Sequence, residues 1–71
     1  MKISYDKEAD AVYIEFSRSK FAKNKKIDDN TIIDLDKGGN ILGIEFLDAS
    51  KRIPKKSLTE VSVETPLIIA R

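Results

Sequence analysis

Apolar and polar residues alternate along this chain in short runs, with a period of two rather than the helical 3.6. Residues 2–5 open with Ile3 and Tyr5 on one face of a short strand. Asp6, Lys7, Glu8, Ala9 and Asp10 form a polar connection, with Asp at turn-favoured positions. Residues 11–17 follow as a clear strand: Val12, Ile14 and Phe16 point one way, and Ala11, Tyr13 and Glu15 the other. The two strands therefore read as a hairpin around a loop of about five residues.

Residues 18–30 carry Arg18, Lys20, Lys23, Lys25 and Lys26, then Asp28 and Asp29, with Phe21 and Ile27 as the large apolar residues. They read as a long connection with a ragged edge strand around 22–27, whose lysines discourage pairing with other chains. Residues 31–36 form a third regular strand, with Ile33 and Leu35 opposite Ile32, Asp34 and Asp36. Gly38 and Gly39 permit a tight hairpin. The fourth regular strand, 41–47, places Leu42, Ile44 and Phe46 on one face and Ile41, Gly43, Glu45 and Leu47 on the other. A glycine inside a strand predicts a bulge, or a large neighbour lying across it.

Asp48 is placed to cap a short helical turn that Pro54 ends, and Pro54 can itself start a second turn to Leu58. Residues 60–64 alternate once more, Pro66 interrupts them, and 67–70 are apolar on both faces. The expected fold is α+β but mainly β, an antiparallel β-meander of four to five strands with one short helix after the fourth. Its expected core is Val12, Ile14, Phe16, Ile33, Leu35, Leu42, Ile44 and Phe46. The helix and a last strand cover an edge or an open face. All of residues 1–71 form one small domain, in which 54–71 are a C-terminal extension carrying that last strand.

Composition narrows the chemistry. A chain of 71 residues has little interior to bury, and it has no Cys for disulfides and no His. Metal sites and general-base catalysis thereby lose their commonest side chains. Regular packing and self-association remain, which favours a homodimer. Lys and Arg total 13 against 12 Asp and Glu, so no long-range field draws the chain to nucleic acid or to acidic membranes. No apolar run approaches the length of a membrane span. The first residues turn acidic too early for a signal peptide, so a cytoplasmic location is expected. Charged residues at 35%, with Lys dominant and Gln absent, lean toward a thermophile-like composition.

Several constellations invite a functional reading. Asp34, Asp36 and Asn40 around two glycines superficially match a calcium loop, but Lys37 occupies the loop and the flanks are strands, so a hairpin turn is the expectation. Asp6, Glu8 and Asp10 read as turn-capping acids. Ser50 and Lys51 are adjacent and cannot face each other as nucleophile and base, so Ser50 reads as a cap. The cations of 18–26 give a modest phosphate footprint without any nucleic-acid motif. Glu45 is the acid that stands out, in the middle of an apolar strand. Tyr13 and Glu15 share the matching face of their own strand, so Tyr13, Glu15 and Glu45 are the candidate polar surface patch. No catalytic, cofactor or metal site is expected, and the chain reads as a non-enzymatic protein.

The order of motifs also carries a resemblance. Tyr5-Asp6, Asp10 and Ala11-Val12-Tyr13-Ile14 are followed by Ile33-Asp34-Leu35-Asp36, the glycines, Gly43-Ile44-Glu45 and Asp48-Ala49-Ser50-Lys51-Arg52. This order resembles a family of small prokaryotic proteins catalogued as domain of unknown function 2283, over residues 1 to about 53. The resemblance implies a compact, mainly antiparallel β-domain, and it brings no catalytic residues. It also implies a second role, that of an antitoxin-like regulator binding a small protein toxin. The leading functional expectation from the residues is a self-associating interaction domain that uses the 66–70 tail or the fourth regular strand.

Overall fold

The structure, a computed structural model, describes residues 1–64. Five strands form one antiparallel sheet: β1 (Lys2–Asp6), β2 (Ala11–Glu15), β3 (Lys23–Asp28), β4 (Thr31–Leu35) and β5 (Ile41–Phe46). A single helical turn, α1 (Ala49–Arg52), and a 3-10 turn, Lys55–Leu58, follow. The fold class expected from the alternation is the one found. The ragged edge segment is a full strand, β3, with a bulge between Lys26 and Asp28.

That extra strand changes the order of the sheet, which runs β1-β2-β5-β4-β3 instead of following the chain as a simple meander. The reason is directional. With β3 inserted, β4 runs parallel to β2, and β5 is the strand of that hairpin whose direction suits antiparallel pairing with β2. The connection from β2 to β3 crosses the top of the β4–β5 hairpin, where the Phe16 and Ser17 amides share the Leu42 carbonyl and the Ala22 amide reaches Leu35.

The register lines up rows across the sheet. Ile3, Ile14, Ile44, Ile33 and Lys25 form one row spanning all five strands. Tyr5, Val12, Phe46 and Thr31 form the next row on the same face. The opposite face carries two polar rows: Ser4, Tyr13, Glu45, Ile32 and Lys26, then Lys2, Glu15, Gly43, Asp34 and Asn24. One face is therefore largely aliphatic and aromatic, and the other largely polar.

The buried core is small, consisting of Ala11, Val12, Leu42 and Ala49 among the described apolar residues. Of the expected core, Ile14, Ile33, Leu35, Ile44 and Phe46 are only half-buried. Phe16 is a correction: it lies beyond the end of β2 and is 40% exposed. The Phe16 and Ser17 amides share the Leu42 carbonyl there, so the regular alternation stops and the crossing begins. A second correction concerns residues 60–64, which have no regular structure. Val61 and Val63 sit beside Met1 and Ile3 in a shallow cavity, with no ladder partner to make them a strand. The expected tail over 66–70 lies outside the described residues.

Candidate functional site

Two polar clusters tie the sheet together, and the first contains the expected patch. Tyr13 on β2 and Glu45 on β5 are direct cross-strand partners, and Glu15 pairs with Gly43 on the same face. Tyr13, Glu15 and Glu45 therefore do share one surface. The tyrosine, however, reaches past Glu45. Its ring lies across Gly43 and its hydroxyl donates a 3.0 Å hydrogen bond to Asp34 Oδ2 on β4. A Cβ at position 43 would collide with the Tyr13 hydroxyl oxygen and sit 2.8 Å from the Ile14 carbonyl oxygen. Gly43 is thus the slot that lets one side chain clamp three strands. The strand glycine is accounted for by a large neighbour lying over it, and β4 also carries a register shift between Asp34 and Leu35.

Burial raises the Tyr13 phenol above its ordinary range first, and its bond to Asp34 and the nearby charges of Asp34, Glu15 and Glu45 raise it further. The phenol therefore stays protonated and serves as a hydrogen-bond donor. Glu15 is turned toward Arg18, with 3.3 Å between Arg18 Nε and Glu15 Oε1. Asp34 was legible only as a hairpin acid, and its bond to Tyr13 was missed. The signal lay in Gly43, which is flanked by Glu15 on one side and Asp34 on the other.

The second cluster is built on Asp10. Its backbone is left-handed, with φ 51°. Its carboxylate accepts from the Tyr5 hydroxyl at 2.8 Å, from the Ser50 amide at 3.0 Å and from the Ser50 hydroxyl at 2.8 Å. Its carbonyl accepts from the Ala49 amide at 2.9 Å. Asp10 thus satisfies orphan amides at the start of α1 from 40 residues away in sequence. Asp48 was the expected cap and makes no side-chain capping bond; its own backbone turns left-handed at φ 52°. Bonds from Ser50 first, and from Tyr5 next, hold the Asp10 carboxyl below the usual range. The same bond raises the Tyr5 phenol.

Arg52 completes this end of the sheet, and sequence reading gave it no role. Its guanidinium donates to the carbonyls of Asn30 and Leu47 and, at 2.8 Å, to the Thr31 hydroxyl. It also lies 5.5 Å from the centre of the Phe46 ring. The remaining expected acids are turn residues, as their positions suggested. Asp6 accepts from the amides of Glu8 and Ala9. Asp36 accepts from the Gly38 and Asn40 amides and from the Asn40 side chain, which holds its carboxyl low. Gly39 supplies the positive φ of 86° at that hairpin. Among the described residues, no group of three or more His, Cys, Asp or Glu side chains is placed to hold a metal ion.

Tyr5, Asp10, Tyr13, Asp34, Gly43 and Ser50 all fall within residues 2–50, which match the profile of a protein family described as Protein of unknown function (DUF2283). The chain is a DUF2283 protein. The match spans every strand of the described residues and ends at Ser50, one of Asp10's partners. Searches of the curated proteins and of the solved structures return no match to the chain. Among the described residues, no helix of this DUF2283 domain is long and apolar enough to cross a membrane.

Proposed function

We propose that this DUF2283 protein is a non-enzymatic interaction domain that associates with itself. The observation that carries this reading is the apolar face of the sheet. Ile14, Ile33, Leu35, Ile44 and Phe46 are half-buried there, and Ile3 is 36% exposed. Sheets of this kind bury such a face against a second layer. Among the described residues, the helical contribution to that layer is α1 and one 3-10 turn, four residues each. The polar clusters add support, because their groups are engaged with one another: Asp10 accepts three bonds, and the Tyr13 hydroxyl donates to Asp34. Such groups hold strands in place. Light scattering on the full chain at tens of micromolar tests the reading. A mass of twice the 8.0 kDa chain is expected, and a monomeric mass contradicts it.

A second reading rests on β3. All six of its residues, Lys23–Asp28, are exposed along a sheet edge, and among the described residues no strand pairs with its outer side, an arrangement that suits addition of a partner strand. An antitoxin-like role would use such an edge to hold a small protein. Co-purification with the product of a neighbouring small gene is the expected result, and a neighbour that is neither toxic nor bound removes the reading.

A further inference from the structure

The apolar face has a shape and a charge distribution that specify its occupant. We infer that a second copy of the chain stacks on it face to face, related by a two-fold axis running along the strands. This rests on the self-association reading and adds the surface and the geometry.

The first argument is area. The described chain measures 39 by 31 by 18 Å along its principal axes, an outline wide enough to accommodate the ~800 Å² per partner of a standard interface. The row Ile3, Ile14, Ile44, Ile33 lies on this side and crosses four adjacent strands. Face-to-face sheets keep their strands within about 30° of each other and interdigitate such rows. The opposite side, with Tyr13, Glu15, Asp34 and Glu45, would bury carboxylates against carboxylates and does not suit the same role.

The second argument selects the axis. Closed two-fold stacking of two such faces can place the axis along the strands or across them. An axis across the strands lays β3 over β3 of the partner. Lys23 and Lys25, which share the apolar face through their pairing with Leu35 and Ile33, would then meet their own copies. Like charges set against each other are destabilising. An axis along the strands moves each β3 toward the β1 side of the other copy. Val61 and Val63 lie beside Met1 and Ile3 there, flanked in sequence by the exposed Glu60 and Glu64. Lysines at one rim then oppose glutamates at the other.

Isotope-filtered NOE spectroscopy on a mixture of labelled and unlabelled full-length chains tests the surface. Cross-peaks between copies that join the methyls of Ile14, Ile33, Leu35 and Ile44 are expected. Intermolecular cross-peaks confined to β1 or β3 would overturn the face while leaving self-association intact. Cross-peaks to these methyls only from the same chain's 67–69 would show the face to be covered internally and overturn the inference. A monomer without intermolecular cross-peaks would overturn both readings. The double variant Lys23→Glu, Lys25→Glu tests the axis: the dimer dissociation constant should rise roughly tenfold at low salt. An unchanged dissociation constant would show that positions 23 and 25 face their own copies, glutamate then meeting glutamate as lysine met lysine, and that the axis lies across the strands. Ile33→Lys should leave a monomeric mass, and a mass that stays dimeric would overturn the face. Should that variant fail to fold, the wild-type NOE result still decides.

Discussion

On the polar face, Tyr13 crosses Gly43 to reach Asp34 and ties three strands together by side-chain contact. On the opposite face, the isoleucine row ends at Lys25; Ile14, Ile44 and Ile33 are half-buried and Ile3 is exposed. The first arrangement is complete within one chain, because its central donor has its acceptor. On the second, Ile3 is 36% exposed and Ile14, Ile33 and Ile44 are half-buried among the described residues, beneath α1, the 3-10 turn and residues 60–64. The difference separates two tasks. Polar contacts fix strand register on one side, and the other side is the one the proposed self-association would use.

Gly43→Ala breaks the completed side most severely. The new methyl would force the Tyr13 ring aside and press on the Ile14 carbonyl, so a loss of roughly 2–3 kcal/mol in denaturant unfolding is expected. Combined with Tyr13→Ala, the same change should cost clearly less, because the colliding ring is gone. Asp10→Ala should destabilise less than Gly43→Ala, with a dependence on pH. The Asp10 carboxyl is held low in the folded chain, so its contribution is full above the ordinary carboxylate pKa of about 3.9. It is lost as pH falls through the folded value. Chemical denaturation against pH should therefore show the gap between wild type and variant closing in acid. Tyr13→Phe removes one partly buried bond and should cost about 0.5–1 kcal/mol. Asp48→Gly should be the mildest change, neutral or slightly stabilising in the same assay. Asp48 makes no capping bond, and its left-handed backbone suits glycine.

Much of this comparison was legible from residue order. Alternation located β1, β2, β4 and β5, and Gly43 pointed to a bulge or a large neighbour, of which the Tyr13 ring is the second. The lysines of 22–27 marked an edge. Other features were hidden for physical reasons. Whether 22–27 pairs as a strand decides how many times the chain reverses, and that number sets which of β4 and β5 meets β2. Local spacing pointed to Asp48 as the helix cap, but the cap is Asp10, brought there by the β1–β2 hairpin. Phe16 fits the alternation and yet lies beyond β2, because its amide and that of Ser17 share one carbonyl and the crossing to β3 begins there. Arg52 carries no pattern signal: its partners, the Asn30 and Leu47 carbonyls and Thr31, converge only once the turn between β3 and β4 lies beside α1.

The contrast between faces is tested most directly by a soluble paramagnetic agent added to the methyl-labelled full chain. Ile32 and Ile33 are sequence neighbours on opposite faces of β4, both half-buried in the single chain. At tens of micromolar and above, the Ile33 and Ile44 methyls should broaden much less than the Ile32 methyls, and their protection should fall on dilution. Equal broadening of both faces at every concentration, or protection that dilution does not change, would contradict an apolar face completed by a second protein surface.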